Sequence, residues 1–183
     1  LMEYFNIVKK RWTVVLLITL VSTLISALVS YFVIQPVYKA DISVIISNTQ
    51  SGEDNSSQNY NDILMYQRMV KSYVEIAKTR MVAEDVIDAL KLDITNSELL
   101  RMISVSSTAD TEFLKITVKS EDPKLARDIA NQYAKSLKSI SKDVRGVDNV
   151  QLMDEALIPT VPDSPRPLLN TAIAFFLGLM LSI

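Results

Sequence analysis

The feature that most limits how this chain can fold is an uncharged, mostly apolar run from position 12 to position 34. As an α-helix this run would be about 35 Å long, and the hydrocarbon core of a bilayer is about 30 Å thick. The run is too long for the apolar part of a signal peptide, and the residues after it form a poor cleavage site. We therefore expect residues 12–34 to form a retained transmembrane helix.

The residues before this run indicate its orientation. Lys9, Lys10 and Arg11 directly precede Trp12, which suits the membrane interface. Positive residues beside a membrane helix favour the cytoplasmic side. The sequence therefore predicts that residues 1–11 are a short cytoplasmic lead.

A second apolar run ends the sequence, and a proline-rich segment leads into it. Proline fixes its own φ angle and favours extended geometry in the residue before it. We therefore expect a stiff, extended strut over residues 159–167, followed by a second transmembrane helix over residues 168–183. The prolines of this strut are Pro159, Pro162, Pro165 and Pro167.

The second run would be about 24 Å long as a helix, which is shorter than the bilayer core. We therefore expect the span, and a cytoplasmic tail after it, to continue beyond residue 183. The pattern as a whole predicts a two-pass protein of the cell membrane with both termini in the cytoplasm. Residues 35–158 would then form an extracellular domain.

Small side chains recur every four residues in both apolar runs. This spacing lines one helix face and lets two backbones approach closely, within one subunit or between subunits. Simple tolerance of small residues in membrane helices explains the pattern equally well. The residues are Ser22, Ser26 and Ser30 in the first run, and Ala174, Gly178 and Ser182 in the second.

The middle of the chain alternates between strand and helix patterns, which predicts an α+β domain with a small sheet of about four strands and packed helices. Asp122 and Pro123 have the residue types of a helix cap and a first helical position. The predicted order is a strand over 38–46, helices over 60–79, 81–91 and 95–102, a hairpin of 103–106 with 113–119, a helix over 122–146 and a strand over 149–158.

Composition argues against most catalytic classes. The sequence contains neither histidine nor cysteine, so the commonest general base and thiol chemistry are missing. Asp154 and Glu155 are adjacent on a predicted strand and would point to opposite faces. We predict no catalytic, metal-binding or cofactor-binding residue. The net charge of −2 gives no reason to expect nucleic acid as a partner.

Three segments carry a resemblance to a known family, the Wzz-type polysaccharide co-polymerases or chain-length determinant proteins. The lead over residues 2–12, the helix start over residues 120–131 and the segment over residues 154–167 are each similar to the corresponding family motif. The second motif resembles Ser-x-Asp-Pro-x-x-Ala-x-x-Ile-Ala-Asn, and its residues here include Asp122, Pro123, Ala126, Ile129 and Asn131.

The short middle domain resembles the Gram-positive capsule branch, which includes the staphylococcal membrane activators of a bacterial tyrosine kinase. The resemblance implies a non-enzymatic membrane adaptor that modulates capsular polysaccharide polymerisation and export and activates a cognate cytoplasmic tyrosine kinase. It implies a homo-oligomeric ring, commonly an octamer, with capsular polysaccharide or its polymerase as a further partner. The kinase contact would lie in the C-terminal tail, outside this sequence.

Two other functions remain open from the residues alone. The middle domain could be the sensor of a two-span receptor, although a proline strut transmits helix motion poorly. A membrane-bound glycan-processing enzyme would have to use Asp154 or Glu155.

Overall fold

The computed structural model of the protein describes residues 12–47, 60–107 and 111–182, with side chains omitted for residues 60–66. Contacts divide the chain into two units. One unit contains the chain up to Val37 and from Pro162 onward, and the other runs from Tyr38 to Val161. The predicted lead over residues 1–11 lies outside the described residues.

Within its described residues, the first unit contains two apolar helices. Helix α1 spans Trp12–Leu28 and continues as a π-helical turn over Val29–Val33. Together they form one helix of 22 residues that is long and apolar enough to cross a membrane. The second helix of this unit, at Pro167–Leu181, is also apolar but has only 15 residues. It is labelled α6, after the four helices of the other unit.

The second unit is built on an antiparallel sheet of four strands in the order β2-β3-β1-β4. Strand β1 pairs with β3 along nearly its whole length, from Tyr38 opposite Ser120 to Ile45 opposite Phe113. The predicted strand at 38–46 and the predicted hairpin are therefore confirmed. The hairpin turn at residues 108–110 lies outside the described residues. The strands are β1 Tyr38–Ile46, β2 Ile103–Ser107, β3 Phe113–Ser120 and β4 Val150–Leu152.

The described part of the sheet unit contains four helices, and their ends agree with the predicted positions within about two residues. Thr95 and Glu98 form a complete capping box at the start of α4. Asp122 accepts a hydrogen bond from the Lys124 N–H at 2.8 Å, and Gly146 ends α5 with φ of 72°. The helices are α2 Tyr60–Ala77, α3 Arg80–Leu90, α4 Asn96–Met102 and α5 Pro123–Arg145.

The core lies between the sheet and these helices. Alternate residues of β1 are buried, from Ala40 to Ile46, and α5 packs against β1, β3 and β4. Tyr133 of α5 is fully buried and donates its hydroxyl hydrogen bond to the Ala77 carbonyl at the end of α2. Burial raises the pKa of Tyr133 to about 12. The predicted α+β fold with a four-stranded sheet is confirmed.

The last strand is much shorter than the predicted strand over 149–158. Strand β4 pairs with β1 only from Val150 to Leu152. Beyond it, the backbone of Ala156 bonds to the side chain of Asn131 on α5 instead of to β1. Alternation in the sequence could not reveal this change of partner.

The predicted strut also differs from a continuous extended segment. The backbone bends at Thr160, Val161 and Asp163, and Ser164 forms an isolated bridge with Val37. Pro167 is the first residue of α6 instead of the last residue of the strut. A proline at this position loses no helical hydrogen bond, because the first N–H groups of a helix have no partner within it.

Candidate functional site

Most of the small residues of the two apolar runs lie where α1 and α6 meet. The Ser22 hydroxyl donates to the Ala174 carbonyl at 3.5 Å. A Cβ atom placed on Gly178 would overlap the Ser22 hydroxyl and lie 3.3 Å from the Cα of Thr19. A side chain at Gly178 would therefore displace the Ser22 hydroxyl and press against the Thr19 backbone, so the two helices approach closely there. We call this contact the helix pair.

Asn170 is a polar member of the helix pair that the sequence reasoning overlooked. Its amide Nδ2 donates to the Ser30 hydroxyl at 3.0 Å, and its backbone carbonyl accepts from the Ser26 hydroxyl at 3.3 Å. The available signal was an amide side chain in an otherwise apolar helix, where a polar group needs a partner. Ser182, by contrast, bonds to the Leu179 carbonyl of its own helix.

A short backbone bridge joins the segments next to the helix pair. The Val37 N–H donates to the Ser164 carbonyl at 2.8 Å, and the Asp163 N–H donates to the Val37 carbonyl at 2.8 Å. Pro165 follows this bridge through a cis peptide bond. These bonds tie together the two segments that enter and leave the helices.

The four prolines of the predicted strut have different surroundings. Pro162 is exposed, whereas Pro159 and Pro165 are partly buried. Pro167 is also partly buried, at the start of α6. The prolines therefore differ in how far each is exposed.

The residues of the predicted motif at the start of α5, over residues 120–131, have different structural roles. Asp122 and Pro123 begin the helix, whereas Ala126 and Ile129 are fully buried in the core. Asn131 reaches out of the helix to the backbone of Ala156. Its Oδ1 accepts from the Ala156 N–H at 2.7 Å, and its Nδ2 donates to the Ala156 carbonyl at 3.3 Å. This pair of bonds replaces strand pairing at the edge of the sheet.

Asn131 also lines a cleft of about 310 Å³. Arg127, Asp128 and Lys135 of α5 line it together with Glu155, and Arg127 pairs with its neighbour Asp128. Asp154 is exposed and does not line the cleft. Within the described ranges, no group of three or more His, Cys, Asp or Glu residues could hold a metal ion. The cleft offers hydrogen-bonding groups of both charges.

A second groove, of about 490 Å³, lies between α2 and the last turn of α5. Arg68, Lys71 and Glu75 line it from α2, and Arg145 lines it from α5. The Arg145 guanidinium carbon lies 4.8 Å from the centre of the buried Tyr73 ring. We call this feature the basic groove, because it contains three cationic side chains and one carboxylate.

The outward side of the sheet carries a compact charge cluster around Asp41. Its carboxylate lies 3.2 Å from the Lys39 amine and 3.1 Å from the Lys115 amine, and it accepts from the Thr117 hydroxyl at 2.6 Å. Partial burial alone would raise the pKa of Asp41. The Thr117 hydrogen bond and the two lysines outweigh that effect and hold the pKa below its usual value.

Comparison with known proteins relates the whole chain to one family. The family model for Wzz, described as "Chain length determinant protein", matches residues 1–90. The probable capsular polysaccharide biosynthesis protein YwqC of Bacillus subtilis is 31% identical over 100% of this chain and 74% of its own length.

Two further relatives come from other organisms. The capsular polysaccharide biosynthesis protein CpsC of Streptococcus agalactiae is 30% identical over 97% of this chain and 78% of its own length. The capsular polysaccharide type 5 biosynthesis protein cap5A of Staphylococcus aureus is 27% identical over 97% of this chain and 79% of its own length. The agreement extends across the helix pair and the sheet unit, so this chain belongs to the Wzz chain length determinant family.

Proposed function

We propose that this protein is a non-enzymatic membrane adaptor that modulates the polymerisation and export of a capsular polysaccharide and activates a cognate cytoplasmic tyrosine kinase. The observation that carries the proposal is similarity along the whole chain to proteins named for capsular polysaccharide biosynthesis. Because these relatives match the residues of both units, the proposed function applies to the helix pair and the sheet unit alike.

The helix pair supports the membrane part of the proposal. Helix α1 has the length and composition of a membrane span, and the large side chains of α6 are mostly exposed and apolar. We propose that α1 and α6 are two spans over residues 12–34 and 168–183. The positive residues at 9–11 then place both termini in the cytoplasm and residues 35–158 outside the cell.

The backbone bridge between Val37 and Ser164 gives the proline-rich segment a role in this arrangement. The bridge holds the segment before β1 next to the segment before α6. We propose that residues 159–167 act through this fixed junction to position the anchors, and not as a straight rod. Substituting the prolines would then loosen the junction without removing the spans.

A scaffold role agrees with the chemistry of the charged residues. The sequence has no histidine or cysteine. The Asp41 carboxylate is held by Lys39, Lys115 and Thr117, an arrangement that stabilises its charged form and does not prepare it for proton transfer. We therefore propose that the chain organises its partners and does not itself catalyse a reaction.

The kinase and the oligomeric ring are the parts of the proposal that rest on the family resemblance. A homo-oligomeric ring, commonly of eight subunits in this family, would bring several kinases together on the cytoplasmic side. The contact with the kinase would then lie in cytoplasmic sequence and would involve none of the sheet residues.

The proposal is tested by deleting the gene in its own host and restoring it with defined variants. We expect deletion to change the amount or length distribution of the capsular polymer, measured by gel electrophoresis, and to lower tyrosine phosphorylation of the kinase. The wild-type gene should restore both. Replacing Pro159, Pro162 and Pro165 together by alanine should restore membrane insertion but not normal polymer length.

Pro123→Ala serves as the matched control, because it removes a proline from the start of α5 and leaves the junction intact. It should restore both readouts. Unchanged polymer and unchanged phosphorylation after deletion would refute the proposed function. Normal polymer in the triple proline variant would refute only the role of the junction.

A further inference from the structure

We propose that the basic groove binds an acidic polysaccharide chain whose sugars carry carboxylates. This inference rests on the proposed role in polysaccharide assembly and names a surface for direct contact with the polymer. The protein as a whole has a net charge of −2, yet the groove brings together Arg68, Lys71 and Arg145 with only Glu75 opposing them. Such a local reversal of charge attracts anions at short range.

The two walls of the groove come from different helices. Arg68 and Lys71 are three residues apart on α2 and lie on the same helix face. Arg145 comes from the last turn of α5 on the other wall. An anionic chain lying between these walls would meet cations on both sides, whereas a flat surface would meet only their tips.

Arg145 is held in position for this contact. Its guanidinium stacks over the ring of Tyr73, and the Tyr73 side chain is fully buried. Such stacking restricts the side chain before any ligand arrives, which reduces the entropy lost on binding. A guanidinium also matches the planar, two-oxygen geometry of a carboxylate.

The remaining lining favours a sugar chain over a more densely charged polymer. Glu75 and Ser72 add an acceptor and a hydroxyl to the groove, and both suit neutral sugar hydroxyls. Val144 is 58% exposed and offers an apolar surface for the C–H face of a sugar ring. The volume of about 490 Å³ is within the ordinary range for ligand sites.

The test measures polymer binding by the full chain in neutral detergent. Oligogalacturonate serves as the carboxylate-bearing probe, dextran as the neutral probe and phosphatidylglycerol vesicles as an anionic lipid surface. We expect the wild type to bind oligogalacturonate in a salt-sensitive manner and not to bind dextran. The double variant Arg68→Gln/Lys71→Gln should weaken this binding about tenfold, because two charged partners are lost.

Lys124→Gln/Lys135→Gln is the matched control. It removes the same net charge from exposed positions on α5 that do not line the basic groove, and Lys135 lines the other cleft. We expect this variant to bind oligogalacturonate within about twofold of the wild type, since distant exposed charges are screened at physiological salt. Circular dichroism melts of both variants should match the wild type.

Each other outcome overturns the proposal. Equal weakening in both double variants would mean general charge attraction, and wild-type binding to vesicles but not to oligogalacturonate would identify the groove as a lipid contact. Absence of oligogalacturonate binding by the wild type would also overturn it. The gene-deletion experiment is independent of these results, so the adaptor role can stand when the groove proposal fails.

Discussion

The two units of the molecule place their large side chains differently. In the sheet unit, large side chains such as Tyr73, Leu114 and Ile116 are fully buried. In the helix pair, the buried residues are Thr19, Ser30 and Gly178, while the large apolar side chains point outward. The difference agrees with the proposal that the helix pair spans a membrane while the sheet unit folds in water.

In water, removing apolar surface from solvent drives packing, and large side chains contribute most to it. In lipid, the surroundings are as apolar as leucine, so close backbone contact and hydrogen bonds hold helices together instead. The proposed membrane arrangement therefore predicts two packing rules in one chain, and single substitutions can test each of them.

The largest expected effect is in the sheet core. Ile116→Ala should lower the free energy of unfolding by about 2–5 kcal/mol, because it leaves a cavity beneath the central strands. Urea titration followed by the near-ultraviolet dichroism of the buried tyrosines would measure the loss. The matched change Ile173→Ala on α6, where Ile173 is 50% exposed, should cost less than about 1 kcal/mol. Equal losses in the free energy of unfolding would contradict the idea that the two units differ in where their large side chains contribute to stability.

The second largest effect is expected in the helix pair. Here the substitution enlarges a residue, whereas Ile116→Ala makes one smaller. Gly178→Leu should destabilise the contact by about 1–3 kcal/mol, because the new side chain meets the side chain at position 22 and the backbone of Thr19. The chain has no cysteine, so Ser22→Cys with Ala174→Cys permits thiol cross-linking between the helices. We expect the cross-linked fraction to fall sharply in Gly178→Leu.

Ala172→Leu provides the control for Gly178→Leu, because Ala172 is exposed on the same helix. It adds the same large side chain without entering the helix contact, and its cross-linked fraction should equal that of the parent protein. Efficient cross-linking in Gly178→Leu would contradict the close approach of the two helices.

A smaller effect is expected for the polar contact within the helix pair. Asn170→Leu removes the hydrogen bond to Ser30 and should cost about 0.6–2 kcal/mol, the range measured for such bonds in membranes. The temperature at which cross-linking is half lost should fall. Thr171→Val also removes a hydroxyl, but this group bonds only to the Pro167 carbonyl of its own helix. The two variants should therefore differ, and identical behaviour would argue against an interhelical role for Asn170.

The smallest effect is electrostatic and belongs to the sheet unit. Asp41 has a lowered pKa in the folded state, against an ordinary value of 3.8. Its stabilising contribution is therefore fully present above pH 3.8 and is lost as the pH falls through the folded pKa. Because the side chain is 34% exposed, solvent screening limits this contribution to less than about 1 kcal/mol.

Asp41→Asn tests this contribution to acid stability. Unfolding of the variant and the wild type should be compared between pH 5 and pH 3. The variant should lose less stability over this interval than the wild type does. Asp143→Asn, at an exposed site on α5, should keep the pH dependence of the wild type. If the free energy of unfolding of Asp41→Asn depends on pH as steeply as that of the wild type, the charge cluster does not contribute to acid stability.

Much of the sheet unit could be predicted because its signals are local. Alternation from Tyr38 to Ile46 identified β1 and its buried face, and the capping residue Asp122 identified the start of α5. Each of these features depends on residues within a few positions of one another. Local backbone preferences and side-chain hydrogen bonds therefore determine them.

The remaining features depend on residues far apart in the sequence. Asn131 bonds to Ala156, and Asn170 bonds to Ser30. These partners are too far apart in the sequence for the periodicity of a helix or strand to predict the contact. The basic groove was missed for the same reason. Its cations lie on α2 and α5, and the pattern within either helix does not show that these cations meet.

The sequence by itself determined which segments are apolar enough for a membrane, which alternate as strands, and where the capped helices begin. These properties follow from the hydropathy and backbone preferences of neighbouring residues. Only the tertiary structure decided that β4 ends at Leu152, that Gly178 lies against Ser22, and that Val37 pairs with Ser164. Those outcomes depend on which distant groups meet in space, since each buried polar group and close backbone contact needs a particular partner.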